Sequence, residues 1–269
     1  MKLIQVSDLH FVPPGKQLHG LDPRARLEAA IADINTAQGD AELCLFTGDL
    51  VDDGAPESYA VLGAALAELD LPYRLLIGNH DDRDNFGRAF PEAPRDERGF
   101  VQSVVRTAAG DLILLDTHAP GEPGGRFCAE RQAWLEARLA EAGARPVYIF
   151  MHHPPFDIGI PSLDRIRLAE PAGFARVVAE AGSVKHIFFG HVHRPVSGAW
   201  RGIPFSALRS TVHQVALDWE TETPVPFTLE PPGYNVIFLA PDKTVVHHHD
   251  FLDNTRFPAG PRLGKAGDA

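Results

Sequence analysis

The chain is expected to form an α/β fold around a largely parallel, buried sheet. Two observations carry that expectation. Apolar runs of strand length alternate with segments of helical period from the first residues onward. A proline also stands just inside two of the helical segments, Pro23 and Pro56, where a missing N–H costs nothing.

The first run, KLIQV at residues 2–6, leads to a helix over 23–38 on which Leu27, Ile31 and Ile34 fall at helical spacing. LCLF at 43–46, a helix over 56–69 and YRLLI at 73–77 complete the order of consecutive βαβ units. Residues 84–99 are polar, carry Gly and Pro, and read as a loop. VQSVVRT and DLILLD, parted by a turn, read as a hairpin. An amphipathic helix over 129–142 precedes PVYIFM, and a helix over 171–181 precedes KHIFF. The texture then changes to short strands, VSGAW, IPFSA and HQVAL. A Pro-rich passage at 224–232 leads to a last hairpin, YNVIFLA and TVVHHHDF, and the tail from Pro258 is expected to be loose. The main domain is drawn over 1–221. Residues 222–269 are drawn as a small C-terminal β extension and tail that could support a homo-oligomer.

Composition narrows the function. A length of 269 residues is ample for a well-buried core, and 44% hydrophobic and 23% charged residues are ordinary for a soluble globular chain. Lys and Arg number 25 against 36 Asp and Glu, a net charge of −11 with no basic run, which disfavours a polymeric nucleic acid as partner. Cys44 and Cys128 make no disulfide framework, and Cys44 reads as a buried hydrophobe. No signal-like apolar segment precedes the first strand and no run is long enough to span a bilayer, so a cytoplasmic protein without a membrane partner is expected.

Five apolar runs end in potential metal ligands. KLIQVS delivers Asp8 and His10, LCLFTG delivers Asp49, RLLIG delivers Asn79 and His80, VYIFM delivers His152, and HIFFG delivers His191 and His193. In an open α/β sheet the carboxyl ends of the strands share one edge, where ligands bind. The i, i+2 pairs Asp8/His10 and His191/His193 would each project to one side of an extended chain. Even without His80, four His, two Asp and one Asn exceed the needs of one tetrahedral ion. They suit two ions sharing a carboxylate, and nitrogen and oxygen donors without thiolate suit divalent Mn, Fe, Zn or Co.

DLH, GDLVD, GNHD, HHPP and GHVH, in that order between about residues 3 and 195, resemble the five blocks of the calcineurin-like metallophosphoesterase superfamily. The resemblance implies a two-sheet α/β/β/α sandwich flanked by helices. It implies one metal on Asp8, His10, Asp49 and His193, and the other on bridging Asp49, Asn79, His152 and His191. It further implies that Asp52 orients His80, which stabilises the transition state or protonates the leaving oxygen, and leaves Asp53 as a solvated loop residue. The reaction implied is hydrolysis of small phosphodiesters by a hydroxide shared between two divalent metals. HHPPFDIGI and LDTHAPGEPGGRF are most similar to bacterial class III cyclic nucleotide and glycerophosphodiester phosphodiesterases. Phosphomonoesterase activity and a noncatalytic metal-binding scaffold are the alternatives.

Several neighbours stay open at this level. His152 is the ligand expected from HHPP, with His153 beside it packing or bonding a ligand. His118 and Phe156 are candidate substrate contacts. Asp157 and Arg165 line a pocket or form a loop charge pair. His186 and His213 read as structural, and His247 to His249 as an exposed strand rather than a second metal site.

Overall fold

The computed structural model describes residues 1–252; the tail from Pro258 lies outside the described residues. In chain order the first half contains β1 (Lys2–Val6), α1 (Pro23–Ala37), β2 (Leu43–Thr47), α2 (Pro56–Leu66), β3 (Tyr73–Leu76) and α3 (Arg83–Ala89). Next come β4 (Ser103–Thr107), β5 (Gly110–Leu115), α4 (Ala129–Ala142), β6 (Val147–Met151), α5 (Pro161–Asp164), α6 (Ala172–Ala181) and β7 (Val184–Phe189). The remainder is β8 (Ser197–Trp200), β9 (Ile203–Ser206), β10 (Gln214–Val215), β11 (Phe227–Thr228), β12 (Gly233–Ala240) and β13 (Lys243–Asp250).

These strands form two main sheets, in the orders β13-β12-β1-β2-β3 and β4-β5-β6-β7-β9-β8. The alternation of side chains along each strand explains why the sheets face one another. Leu3, Leu43, Leu45 and Leu76 point from the first sheet into a core shared with Leu112, Leu114, Tyr148, Phe150 and Phe188 of the second. The intervening residues, Ile4, Val6, Cys44 and Phe46, pack under α1 and α2. Ile113, Ile149, Ile187 and Phe189 face the other way and pack with Leu135 of α4 and Phe174 of α6. Strands with both faces apolar are what a layer buried between helices and a second sheet requires. Cys44 is buried, as expected.

Three expectations change. The final hairpin is not an addition to the fold: β12 pairs antiparallel with β1, and β13 with β12, so both complete the first sheet. The sequence concealed this because Gln5 and Asn235, both buried, carry the pairing on one face. Asn235 Nδ2 donates to Gln5 Oε1 at 3.1 Å, Gln5 Nε2 donates to Thr47 Oγ1 at 3.2 Å, and His248 Nδ1 meets Asn235 Oδ1 at 2.6 Å. A polar row thus crosses four strands. Residues 84–99, read as a loop, begin with α3, which Asp82 caps by accepting from the Asn85 amide at 2.7 Å while Phe86 is buried. HQVAL contributes only the short β10, which pairs with β11 away from the main sheets.

His186 shares the inner face of β7 with Phe188, their rings stacked at 4.1 Å, and Nε2 lies 2.9 Å from Ser206 Oγ. Burial lowers its pKa to about 4, so the ring is neutral in the fold. The unfolded chain takes up the proton near pH 6.5, so stability falls as pH drops from about 6.5 to about 4. Urea unfolding across that range should show the loss, by up to roughly 3 kcal/mol, and a His186→Leu variant should show less of it. Truncating the neighbouring Phe150, stacked on Phe188 at 4.6 Å, should cost about 3–5 kcal/mol at any pH.

Candidate metal centre

Each expected ligand lies just beyond the carboxyl end of a strand. Asp8 and His10 follow β1, Asp49 follows β2, Asn79 and His80 follow β3, His152 follows β6, and His191 and His193 follow β7. Three of these strands belong to one sheet and two to the other, so the cluster closes the mouth of the sandwich rather than one sheet edge. The i, i+2 pairs do aim into one space, but not through an extended chain. Asp8, His10, His191 and His193 have φ of 57°, 45°, 66° and 47°, and Asp49 has 47°. Left-handed backbone at five non-glycine residues is costly and clusters at functional sites. Two glycines make the crowding possible. A Cβ on Gly78 would strike Asp49 and His152, and one on Gly190 would strike Ser7.

Ligand atoms of Asp8, His10, Asp49 and His193 all lie within 4.8 Å of one another, and all four residues are buried. Beside them His152 Nε2 is 3.3 Å from Asp49 Oδ2 and 3.2 Å from Asn79 Oδ1, and Asn79 Oδ1 is 3.0 Å from His191 Nδ1. Asp49 therefore belongs to both groups.

The protons on three of these rings are set by their outer partners. His152 Nδ1 donates to the Thr47 carbonyl at 2.8 Å, His193 Nδ1 to the His213 carbonyl at 2.9 Å, and His10 Nδ1 to the Asp52 carboxylate at 3.0 Å. In its neutral form each ring then turns a lone pair inward through Nε2. His10 Nε2 faces His193 Nε2 at only 3.1 Å, and Asp8 Oδ2 and His191 Nε2 are buried without a partner. Burial opposes the charge on Asp8, yet the His193 and His152 rings hold its pKa at about 2. Burial likewise disfavours a charged His152, but Asp49 and Asp8 push it up to about 9. Converging lone pairs, anions and unpartnered atoms fit positive charge at this point, and the donor set is one that binds divalent metal ions.

Comparison with known proteins agrees with this geometry. Residues 1–195 match the calcineurin-like phosphoesterase family. The chain belongs to that family. It is 44% identical over 255 residues to a probable cyclic nucleotide phosphodiesterase of Rhodopseudomonas palustris, covering 94% of this chain and 93% of the relative. It is 31% identical over 268 residues to a probable glycerophosphodiester phosphodiesterase, GpdQ, of Arcobacter nitrofigilis, covering 96% of each. In structure it is similar to a dimetal phosphatase from Danio rerio, with a TM-score of 0.70 at 15% identity over 94% of this chain and 96% of that one. That likeness shows a shared two-sheet phosphoesterase fold.

Around the phosphoesterase cluster, several residues differ from expectation. The Asp52 carboxylate serves His10, while His80 Nδ1 donates to the Asp52 carbonyl at 2.9 Å and lies 3.6 Å from its carboxylate. Main-chain turn geometry, invisible in the residue types, decides this. Asp53 is not merely solvated: it accepts from the Ala55 amide and Ser58 Oγ at the start of α2. Asp81, the last residue of GNHD, accepts from the amides of Leu50, Val51 and Gly78 and from Tyr59 OH, tying the GDLVD loop to the GNHD loop. The spacing offered no signal for it beyond its place in the motif.

His213, read as structural, also lines the cavity, with ring centroids 5.2 Å from His10 and 4.7 Å from His193. His153 is buried beside His152, and its Nδ1 bonds Thr117 Oγ1 at 2.8 Å. Phe156 is not at the cavity; it packs against Phe189, Trp200 and Phe205, because its apolar ring completes the second core. His118 lies outside the metal cavity and lines a neighbouring one. Arg165 pairs with Glu222, and Asp157 with Arg167, as loop charge pairs. The three histidines of β13 go to separate partners: His247 to Phe238, His248 to Asn235, His249 to Asp33.

An Asp52→Asn variant should keep the fold and lose metal affinity by about 10–100-fold, because the group orienting His10 is weakened. Competition with a chromophoric chelator reads this directly.

Proposed function

We propose that this phosphoesterase hydrolyses small phosphodiesters, cyclic nucleotides or glycerophosphodiesters, at a dinuclear metal centre. The observation that carries the reading is the pair of adjoining donor groups that share Asp49. Asp8, His10, Asp49 and His193 would hold one divalent cation, and Asp49, Asn79, His152 and His191 the other, with Mn, Fe, Zn or Co suited to the donors. When bound, such ions polarise phosphoryl oxygens and make a water nucleophilic near neutral pH.

The chain's own residues supply the rest. His80 stands at the rim of a cavity of about 350 Å³ that also borders Asp49, Asn79, His191 and His193. Burial opposes a charge on it, but Asp49, the Asp52 carbonyl and the Asp52 carboxylate raise its pKa above the usual value. From this rim His80 would pass a proton to the departing alcohol oxygen. Leu18, Leu163, Ile166, Val225 and Phe227 add apolar lining to the same cavity, which suits the organic part of a small ester. A net charge of −11 and a cavity of this size disfavour a polynucleotide. The names of the relatives support the same substrate classes.

No helix among the described residues is long and apolar enough to cross a membrane. A cytoplasmic setting and a homo-oligomer belong to this reading. Support for self-association is the exposure of Leu217, Trp219, Phe227 and Leu229, on and beside β10 and β11. Light scattering should report more than one chain per particle, and Trp219→Glu should lower the mass; a monomeric wild type would remove this part.

Metal-loaded protein should hydrolyse bis-p-nitrophenyl phosphate with Mn²⁺, and Asn79→Ala should reduce kcat/KM by on the order of 100-fold. A panel of 3′,5′- and 2′,3′-cyclic nucleotides beside glycerophosphodiesters then ranks the substrates. No turnover of any diester by the loaded wild type would leave the scaffold alternative standing.

A further inference from the structure

A second cavity, of about 780 Å³, lies beside the metal centre and has no part in the reaction proposed above. The two are close. Leu163 and Ile166 border the metal cavity while Asp164, Arg165 and Arg167 border the second. His80 lines one and Arg83, three residues on at the start of α3, lines the other. Gly125, in the second, lies against the His153 ring.

The floor of this cavity carries an uncompensated charge. Asp116 is fully buried and sits between two guanidinium groups. Arg83 grips it through Nε and Nη2, each at 3.0 Å, and Arg131 Nη1 reaches it at 3.3 Å. The same carboxylate accepts from the amides of Val101 and His118, so its oxygens are saturated. Arg131 is itself only 3% exposed, held further by the carbonyls of Asp116 and His118 and by the Phe100 ring at 4.6 Å. One carboxylate for two guanidinium groups leaves a positive charge over, and charges so desolvated are normally matched. Donors remain free as well. Arg131 Nε is buried without a partner, and neither Arg83 Nη1 nor Arg131 Nη2 has one among the described residues.

Exposed Glu130, in the first turn of α4, feels the Arg131 charge but forms no ion pair with it, and the charges at the rim are engaged elsewhere. Arg165 is taken by Glu222 and Arg167 by Asp157, while Asp164 is turned to the amides of Ile158 and Gly159. Glu122 and Arg126, both exposed, also border the cavity, and neither forms an ion pair with Arg83 or Arg131. His118 adds no charge: burial and the Arg83 guanidinium hold its pKa down. Its ring already donates to the Gly78 backbone, so the unpartnered, buried Nδ1 of the neutral form is a lone pair and the anion must be held by the guanidinium groups.

We propose that this cavity is a binding site for a small anionic group, a phosphate or a carboxylate, taken between Arg83 and Arg131 beside His118. Planar guanidinium donors match the paired oxygens of either group. The anion is either free in solution or a second acidic group on the ester held at the metal centre; the latter source rests on the function proposed above.

Two measurements decide it. Equilibrium dialysis of inorganic phosphate against EDTA-treated, full-length protein at low salt removes the metal centre as a competitor. The wild type should bind one phosphate per chain, Asn79→Ala should bind equally, and Arg83→Gln should bind at least about tenfold more weakly. A circular dichroism melt checks that Arg83→Gln is folded. Loaded enzyme is then given two p-nitrophenyl phosphodiesters whose second alcohol ends in a carboxylate or in the matching amide. A KM about fivefold lower for the carboxylate, lost in Arg83→Gln, supports the site with the substrate as source. Phosphate binding without that KM difference supports it with a free anion as source. The proposal is overturned if the stripped wild type binds no phosphate and the two esters also differ by less than about twofold. If neither ester is turned over, the proposed reaction fails, and dialysis alone judges the anion site.

Discussion

Asp8 and Asp49 are buried carboxylates at the ends of neighbouring strands, and the protein is built around keeping them ionised there. Desolvation of a carboxylate is expensive unless positive charge or donors face it. The fold answers with histidines delivered from the other sheet: His193 reaches Asp8 Oδ1 at 3.4 Å and His152 reaches Asp49 Oδ2 at 3.3 Å. The two sheets are therefore joined at their carboxyl edges by electrostatics as well as through the apolar layer between them. This demand also explains the left-handed backbone at Asp8, His10, Asp49, His191 and His193, strain that the surrounding packing sustains.

The residues proposed as ligands could be picked out of the sequence because each sits directly after an apolar run, and a strand's end is a position that pattern alone defines. What pattern could not carry was the way the chain turns after the strand. Asp8 and His10 meet the same space through positive φ at both residues, not through pleat. Asp52 reaches His10 with its side chain and His80 with its carbonyl for the same reason. Residues whose work is done toward backbone, such as Asp81, leave no trace in spacing. Phe156 shows the converse. Its neighbourhood to HHPP drew it toward the substrate, but an aromatic ring with Trp200 and Phe205 within reach is held by the core.

The helices and parallel strands were legible wherever periodicity ran long, as in α1 and α4. Which sheet a strand joins was not, because β1, β2 and β6 are apolar on both faces and each would suit either layer. The polar row of Gln5, Thr47 and Asn235 is the feature that distinguishes β12 as the partner of β1, and it was hidden among apolar neighbours. It ends at Thr47, whose carbonyl holds His152, so the interior of the first sheet and the orientation of a metal-site histidine meet at one residue.

That β1 lies between β2 and β12 bears on how the protein is made. Lys2 to Gln5 pair with residues Asn235 to Phe238, so one side of the first strand stays without its hydrogen-bonding neighbour until more than 230 further residues have left the ribosome. An unpaired apolar strand is a template for wrong partners. Synthesis halted before the last hairpin would yield a chain holding the whole His and Asp cluster yet prone to aggregate, its mouth anchored to a strand with an open flank.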